Sequence, residues 1–342
     1  MKAIVIEEPG KYSLKEIPDP EIKNPTDVLL EVMAVGLCGS DMSLLVGGNA
    51  AASYPRIPGH ELTGRIKAVG SEVTKVKVGD RVIVEPMRYC GKCHACRRGR
   101  FNACHHLEVI STHVDGGFCE YFVCPETEVH LLPDYISYEL ATAIEPFTIG
   151  EQACSRGDVR EGDTVLIHGS GPIGLVIADV AKRIGARVIV SEPSAKRRDM
   201  ALLFGADYVI DPIHEDMPAL VKEITEGVGP NTIFDAAGIP SLLQPSLELV
   251  ATAGTVVPMS FNPTPTPISS LPINMKELTI AGTRHQRMMF PKVIADLENR
   301  MDMIEKYVTH IFPLEQYEDA FALFKDKDSD ARKIVLRVKD EQ

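Results

Sequence analysis

The spacing of hydrophobic positions divides the chain into two parts that meet near residue 137. Before that point, short apolar runs are separated by proline, glycine, asparagine and aspartate, a pattern typical of β-strands joined by turns. Strands are predicted at residues 28–35, 62–69, 81–84, 118–123 and 129–132. The N-terminal part is therefore predicted to be a β-rich body, built as a partly open barrel.

Beyond Ser137, a favourable helix N-cap, apolar strands alternate with helices. The strands are predicted at residues 164–168, 187–191, 208–210, 232–235, 255–257 and 278–281. Helices are predicted to begin at residues 172 and 194 and to cover 217–225 and 241–250. Strands joined by helical crossovers predict a doubly wound parallel sheet, and hence an α/β fold. Two further helices, at 291–299 and 314–324, and a strand at 333–338 are interpreted as returning to the first domain.

Composition narrows the class of protein. A chain of 342 residues is long for one core, so two domains are expected, and 44% hydrophobic with 25% charged residues is typical of a soluble enzyme. The net charge of −12 argues against a nucleic-acid partner, and the lack of any apolar run of about 18 residues argues against a membrane partner. Eight cysteines without a targeting segment favour metal ligands over disulfides, and a cytoplasmic location.

A glycine-rich turn directly after the first strand of the alternating part predicts a dinucleotide site. Residues 169–174 read G-x-G-x-x-G, in which the glycines allow the tight turn, the approach of a pyrophosphate and close helix packing. Glu192 ends the second strand, where a carboxylate accepts hydrogen bonds from ribose hydroxyls and repels a 2′-phosphate, so NAD is favoured over NADP. Lys196, Arg197 and Arg198 leave NADP open as the alternative, although a solvated helix face is the preferred interpretation.

Four cysteines with short spacing form the most specific motif of the chain. Cys90, Cys93, Cys96 and Cys104 supply four thiolates on one loop, which predicts a closed, structural Zn²⁺ site. An iron–sulfur cluster, which also accepts four cysteines, is the alternative.

A second metal site is predicted from residues that have no local spacing. A lone cysteine at a strand end, such as Cys38, is usually a buried hydrophobic residue. A catalytic zinc, however, keeps three protein ligands and one open position, and Cys38, His60 and Glu145 fit that chemistry, with Glu61 as a second carboxylate within reach. Ser40 can direct its hydroxyl at whatever occupies the open position.

Taken together, these motifs resemble the zinc-containing medium-chain dehydrogenases over essentially the whole chain. The matching segments are residues 36–41, 59–61, the four cysteines, Glu145-Pro146 and residues 169–174. Glu145-Pro146 is similar to the polyol (sorbitol-type) and threonine dehydrogenase branch. The resemblance implies a GroES-like catalytic domain of residues 1–147 and 283–342, a Rossmann NAD-binding domain of residues 148–282, and a homodimer or homotetramer.

The resemblance also implies roles for single residues. Cys38, His60 and Glu145 or Glu61 would hold the catalytic zinc, with Glu61 also a candidate catalytic group and Ser40 the first residue of the proton relay. The predicted cofactor contacts are Gly169, Gly171, Pro172, Ile173, Gly174, Glu192, Arg197, Ser260 and Thr283. Many relatives carry a histidine three residues after the relay residue, where this chain has Ser43. The proton must therefore leave through a cofactor ribose hydroxyl, a water chain or another side chain.

The predicted substrate is a small polar alcohol. Arg284, just after the last strand of the sheet, and His113 are the candidate substrate residues, and 6% aromatic residues without tryptophan argue against a large apolar pocket. The surrounding segments look most like bacterial sugar-acid dehydrogenases of the galactonate 5-dehydrogenase type. We therefore predict hydride transfer from a secondary alcohol of a polyol or sugar acid, such as L-galactonate, to NAD. The alternatives are an L-threonine 3-dehydrogenase, a 2,3-butanediol or alditol-phosphate dehydrogenase, a zinc-ribbon-like binding module, or an NAD- and zinc-binding structural protein.

Overall fold

The computed structural model describes residues 1–326 and 329–341. Residues 327, 328 and 342, which fall within the predicted segment 283–342, lie outside the described residues. The chain forms two compact units, Met1–Glu145 with Phe290–Gln342, and Pro146–Met289. Among the described residues, no helix combines the length and the apolar character needed to cross a bilayer.

The first unit is built on one large mixed sheet. Its strands follow the order Val308–Pro313, Lys333–Arg337, Asp27–Gly36, Glu61–Val69, Arg81–Val84 and Val129–Leu131, with Tyr121–Pro125 also pairing with Asp27–Gly36. Two small sheets pair Lys2–Glu8 with Lys11–Glu16 and Met87–Arg88 with Glu108–Val109. The tail strand Lys333–Arg337 lies antiparallel to Asp27–Gly36, so residues near both ends of the chain share one sheet.

Short helices connect the strands of this unit. The α-helices are Gly39–Leu45, His94–Arg97, Tyr138–Ala141, Phe290–Ala295, Met301–Tyr307 and Tyr317–Lys325. The 3-10 helices are Phe101–Ala103, Glu126–Glu128, Glu298–Arg300 and Leu314–Gln316. Ser137 caps its helix as predicted, because its side chain accepts a hydrogen bond from the Leu140 N–H.

The predicted strand at 118–123 is wrong in its first half, because the strand covers Tyr121–Pro125. Phe118 is fully buried, and its N–H donates to the Pro58 carbonyl at 3.0 Å rather than to a neighbouring strand. Cys119 is also buried and forms an isolated bridge with Ala3, so these two apolar residues lie in a loop that packs in the core. The strand Val308–Pro313 and the helices Gly39–Leu45 and Met301–Tyr307 were not predicted.

The second unit confirms the predicted doubly wound sheet. Its six strands are all parallel, in the order Tyr208–Ile210, Arg187–Ser191, Thr164–His168, Thr232–Asp235, Thr255–Pro258 and Thr279–Ile280. Its helices are Pro172–Ile184, Ala195–Leu203, Met217–Ile224, Leu243–Leu249 and Ser270–Met275, with a 3-10 helix at Pro240–Leu242. The boundary between the two units falls in the helix Ile144–Gly157. Leu166, Ile189 and Ile233 are paired neighbours of the sheet and belong to one buried cluster.

Candidate active site and metal centres

Strand pairing brings the predicted ligands of the catalytic metal together. Gly36, the last residue of Asp27–Gly36, is the partner of Glu61, the first residue of Glu61–Val69. Cys38 follows this pair by two residues and His60 precedes it by one, so the two side chains meet at the same end of the sheet. Ligand atoms of Cys38, His60 and Glu61 all lie within 4.8 Å of one another.

Gly36 is required at this point because the Glu61 carboxylate lies against its backbone. A Cβ atom at position 36 would lie 2.1 Å from Glu61 Oε2, a distance that no real side chain tolerates. The glycine therefore makes room for the carboxylate beside the Cys38 loop.

Asp41 joins the two segments that carry these ligands. It is fully buried; its Oδ2 accepts the Cys38 N–H at 3.0 Å, and its Oδ1 accepts the Gly59 N–H at 3.0 Å and lies 3.4 Å from His60 Nδ1. Burial alone would raise the pKa of Asp41, but His60 and the two backbone N–H groups hold it below its ordinary value. A carboxylate on Nδ1 fixes the tautomer of a histidine and leaves Nε2 for a metal ion. Asp41 thus acts as a structural brace between the Cys38 and His60 segments.

Glu61 has a buried partner from the far end of the chain. Lys333 Nζ lies 2.7 Å from both carboxylate oxygens of Glu61 and 3.0 Å from the Leu37 carbonyl, and Lys333 is only 3% exposed. Burial favours the neutral form of each group, yet the Glu61 carboxylate raises the pKa of Lys333 above its ordinary value. With both oxygens in contact, the pair is ionised. Glu61 can therefore bind a metal ion only if its carboxylate leaves Lys333 or is shared between Lys333 and the ion.

Glu145 is buried in the first turn of the helix Ile144–Gly157, outside the group of three whose ligand atoms lie within 4.8 Å. Burial is the main reason that the pKa of Glu145 is raised to about 7; His60 acts to lower it and Glu61 to raise it. The site holds three buried carboxylates, and Lys333 and His60 are its only nearby cationic side chains among those described above. Without a metal ion, their positive charge does not fully offset the negative charge of the carboxylates and of a Cys38 thiolate. This donor set fits a divalent cation, which would offset the buried negative charge.

The remaining predicted residues of the first unit lie at different depths. Ser40 is exposed in the first turn of Gly39–Leu45, and Ser43 is half-buried in the next turn. His113 is half-buried, and its Nδ1 accepts the Val109 N–H at 3.0 Å, which leaves the proton on Nε2 of the neutral ring.

The four predicted structural ligands form a compact cluster of sulfur atoms. Sulfur–sulfur distances are 3.5 Å for Cys93–Cys96, 3.9 Å for Cys93–Cys104 and 3.5 Å for Cys90–Cys104. Zinc–sulfur bonds of about 2.3 Å in a tetrahedron require sulfur atoms about 3.8 Å apart, whereas a disulfide requires about 2.05 Å. The cluster therefore fits a tetrahedral metal ion.

The electrostatics of this cluster point the same way. Backbone N–H groups of His105 and Cys96 lower the pKa of Cys93 to about 5. Burial, with the neighbouring sulfur atoms, raises the pKa of Cys96 to about 12. The four thiols cannot all ionise unless a cation joins them, so the cluster fits a zinc ion that deprotonates its ligands.

The glycine turn of the second unit fits a dinucleotide. A Cβ atom at Gly174 would lie 2.1 Å from the Gly169 carbonyl oxygen, so helix and strand need the glycine to pack. Gly171 is the N-cap of Pro172–Ile184, and a Cβ atom there would meet nothing within 4 Å. Open space at a helix N-terminus is what a pyrophosphate group occupies. Pro172 is exposed and Ile173 is half-buried beside it.

Glu192 is held in place by the turn. Its Oε2 accepts the Ser170 N–H at 3.0 Å and its Oε1 accepts the Ser194 N–H at 3.0 Å. Arg198, one of the three basic residues that left NADP open, donates to the carbonyls of Glu192 and Pro193 at 2.8 Å. Arg198 also lies 3.1 Å from Asp211, so it is committed to the structure of the loop rather than to a phosphate.

Other predicted cofactor and substrate residues of this unit are accessible or poorly satisfied. Thr283 Oγ1 is buried without a hydrogen-bond partner in the described part of the chain, as expected of an atom that a bound molecule satisfies. Arg197, Ser260 and Arg284 are exposed. Ser260 Oγ accepts the Asn262 N–H at 2.9 Å.

Two residues that contact the side chains of the catalytic metal site were not predicted from the sequence. Lys333 is 272 positions from Glu61, and no local motif marks it. Ser111 donates from Oγ to Asp41 Oδ1 at 3.1 Å, but a single serine in a loop carries no recognisable signal.

Comparison with known families gives two matches along the chain. Residues 24–134 match the model of the alcohol dehydrogenase GroES-like domain, and residues 172–299 match the model described as zinc-binding dehydrogenase. The two ranges together cover more than half of the chain.

Individual proteins are similar over nearly the full length. Starvation-sensing protein RspB of Escherichia coli strain K12 is 37% identical over 340 residues, 98% of this chain and 99% of that protein. Sorbitol dehydrogenase of Bacillus subtilis strain 168 is 37% identical over 330 residues, 94% of this chain and 92% of that enzyme. A solved alcohol dehydrogenase from E. coli CFT073, complexed with NADH, superposes with a TM-score of 0.91 at 37% identity and covers 98% of this chain and 99% of that one.

Proposed function

Because this chain belongs to the zinc-binding alcohol dehydrogenase family and is an NAD-dependent zinc oxidoreductase, we propose that it oxidises a secondary alcohol of a polyol or sugar acid. The observation that carries the proposal is the buried group of Cys38, His60 and Glu61, whose ligand atoms lie within 4.8 Å of one another. In this proposal the first unit supplies catalysis and the second unit binds NAD.

Each cofactor has a defined contribution. When bound, zinc supplies a Lewis acid that lowers the pKa of the substrate hydroxyl, and NAD supplies the hydride acceptor. Cys38 and His60 hold the ion together with Glu61 or Glu145. Asp41 keeps His60 in the tautomer that leaves Nε2 for the ion, since it lies on the Nδ1 side.

The proton of the substrate hydroxyl passes first to Ser40, which is exposed next to Cys38. A hydroxyl at Ser43 has no pKa near neutrality, so Ser43 would not carry the proton onward, and a ribose hydroxyl of bound cofactor or a water molecule would have to take it from Ser40. Each carboxylate oxygen of Glu192 accepts one backbone N–H and can accept a further hydrogen bond from a ribose hydroxyl. The negative charge of Glu192 disfavours a 2′-phosphate. Thr283, Ser260 and Arg197 complete the cofactor site.

The substrate class is argued from the chemistry of one exposed side chain and from the names of relatives. Arg284 is exposed just past the edge strand Thr279–Ile280, and its guanidinium suits a carboxylate or several hydroxyl groups. Relatives are named for sorbitol, D-arabitol phosphate and L-threonine, two of which are a polyol or its phosphate. Ser43 disfavours threonine, because the relay residue that this activity is expected to use is missing.

A substrate panel tests the proposal. Aldonates, alditols, alditol phosphates, 2,3-butanediol and L-threonine are offered with NAD⁺, with and without a chelator, and NADH formation is followed. We expect turnover of an aldonate or alditol that the chelator abolishes. Turnover of threonine or butanediol alone would contradict the substrate class, and turnover that resists the chelator would contradict the zinc mechanism.

The variant Arg284→Met separates a sugar acid from a neutral polyol. If Arg284 holds a carboxylate, the variant raises KM for an aldonate about tenfold or more and leaves KM for the alditol of the same chain length nearly unchanged. Equal changes for both substrates would mean that Arg284 does not bind the carboxylate.

The homodimer or homotetramer and the cytoplasmic location remain predictions. Light scattering tests the predicted oligomeric state.

A further inference from the structure

A buried serine next to the metal site has a backbone conformation that favours glycine. Ser111 has φ 76°, in the left-handed region, and its side chain is only 1% exposed. Glycine adopts this region at no steric cost, whereas residues with a Cβ atom are disfavoured there. The hydroxyl group is thus what a serine adds at this position. Its Oγ donates to Asp41 Oδ1 at 3.1 Å.

The turn around Ser111 is closed by its own hydrogen bonds. The N–H groups of Thr112 and His113 donate to the Val109 carbonyl at 3.2 and 2.8 Å, and the Val109 N–H donates to His113 Nδ1 at 3.0 Å. The turn is therefore a rigid unit that includes the His113 ring. Ser111 Oγ connects this unit to the carboxylate that contacts His60.

The contacts of Asp41 show what this connection does. The backbone N–H groups of Cys38 and Gly59 already bind one oxygen of Asp41 each, and Ser111 adds a side-chain donor to one of them. The Cys38 N–H binds Oδ2, while the Gly59 N–H and Ser111 Oγ bind Oδ1, the oxygen nearest to His60. Ser111 is the side-chain donor of this set that comes from outside the two ligand segments.

We propose that Ser111 is a positioning residue of the catalytic metal site. It adds a donor to the Asp41 oxygen nearest to His60, which strengthens the hold on Asp41 and, through Asp41, on the ring of His60. It also links the turn that contains His113 to the same carboxylate. Strain at φ 76° is maintained because the hydroxyl is needed there. The inference rests on the proposed function in that it takes Cys38 and His60 as metal ligands.

Two substitutions separate the hydroxyl from the backbone. Ser111→Gly removes the hydroxyl and relieves the left-handed strain, and Ser111→Ala removes the hydroxyl but keeps the strain. Thr112→Ala is the matched control, because Thr112 lies in the same turn but its Oγ1 accepts a hydrogen bond from Asn49 Nδ2 at 3.4 Å, in a different segment from Asp41. All variants are first checked for an unchanged far-UV circular dichroism spectrum, and the thermal midpoint of each is recorded.

Cobalt(II) in place of zinc provides a readout that does not depend on turnover. The d–d bands of the ion report ligand geometry, and the spectrum of Cys38→Ala is subtracted to remove the four-cysteine site. Removing a direct hydrogen-bond partner of a ligand costs about 10- to 100-fold in metal affinity, so one bond further out we expect a loss of about 3- to 10-fold. Both Ser111 variants should show this loss and the same band shift, and Thr112→Ala should show neither.

Unchanged cobalt affinity and bands in both Ser111 variants would overturn the proposal. An effect in only one of them would also overturn it, because the cause would then be the backbone. A merely structural role would lower the thermal midpoint and leave the bands in place. If the bands shift as expected but no polyol or sugar acid is oxidised by the unaltered protein, the positioning role stands and the proposed substrate class fails.

Discussion

The two metal centres of this protein are built in opposite ways. The four-cysteine cluster is local, because all its donors are cysteine sulfur atoms between residues 90 and 104. The group of Cys38, His60 and Glu61 is assembled by strand pairing, braced by Asp41 and Ser111, and opposed by Lys333 from near the C-terminal end. A closed set of four sulfur donors is typical of a structural zinc ion, whereas a mixed set of donors that leaves one position open is typical of a catalytic one.

This difference predicts that removing Cys38 affects catalysis and leaves folding intact. Cys38→Ala should lower kcat by about 10³-fold or more, because a lost Lewis acid removes several kcal/mol of transition-state stabilisation. The thermal midpoint should change little, since Cys38 is only partly buried and the strand pairing around it remains. Steady-state kinetics and calorimetry check both parts. If the variant unfolds, or if it keeps its turnover, the claim that the Cys38 centre is catalytic and the four-cysteine centre is structural is contradicted.

Removing a ligand of the local cluster should have the converse effect. Cys93→Ser is expected to lower the free energy of unfolding by about 5 kcal/mol, because binding of a structural zinc is part of the folding free energy. Denaturant titration measures the loss. Cys119→Ser, which alters a buried cysteine outside the cluster, is the control for the cost of substituting any buried thiol. An equal loss in both variants would mean that the cluster holds no structural metal.

The buried ion pair sharpens the comparison, because only the dispersed centre depends on it. Lys333→Met leaves the Glu61 carboxylate buried without its partner, which should cost about 3 kcal/mol in zinc-depleted protein. A bound zinc ion offsets part of that charge, so the cost should be smaller in the zinc-loaded protein. Lys333→Arg, which keeps the charge, should be milder in both states. A cost that does not depend on zinc would separate Lys333 from the metal site.

A buried histidine outside both metal centres makes the stability of the protein depend on pH, and this effect has to be known before any pH dependence is assigned to a metal centre. Burial lowers the pKa of His168 from 6.5 to about 4, so the folded protein resists a proton that the unfolded chain accepts. The stability that His168 contributes is thus present above pH 6.5 and is lost as the pH falls toward and through 4. At a pH of about 5 the loss is about 2 kcal/mol.

His168→Gln should flatten this acid-side slope, since an amide can still donate to Ser246, which lies 3.2 Å from His168 Nε2. His214→Gln is the control, because His214 is exposed and pairs with Asp211 near the surface. Unfolding titrations at several pH values measure both slopes. If His168→Gln keeps the slope of the unaltered protein, the acid sensitivity arises elsewhere, and the metal centres become its first candidates.

The same contrast explains what could be read from the sequence. The four cysteines and the glycine turn are local motifs, so their spacing is enough to predict their chemistry. The alternation of strands and helices predicts the parallel sheet, and the six strands lie in the predicted regions. Cys38, His60 and Glu61 were found through chemistry and resemblance, since strand register decides that they meet. Lys333 and Ser111 were not found, because a buried ion pair across 272 residues and a single hydroxyl in a loop leave no periodic signal.

The loop at residues 118–120 marks another limit of pattern reading. Phe118 and Cys119 look like the start of a strand, but they are buried in a loop in which the Gly117 N–H donates to the Gly59 carbonyl at 2.7 Å and the Phe118 N–H donates to the Pro58 carbonyl at 3.0 Å. Hydrophobicity reports burial, and it distinguishes a strand from a buried loop only when alternation continues over enough residues.

The zinc content of three proteins tests the central claim that the chain has two separate metal centres. Inductively coupled plasma mass spectrometry would be applied to the unaltered chain, to Cys38→Ala and to Cys93→Ser. The account predicts about two zinc ions per unaltered chain, one for each type of site, and about one in each variant. About one zinc ion in the unaltered chain, with none lost in Cys38→Ala, would contradict a catalytic metal at Cys38.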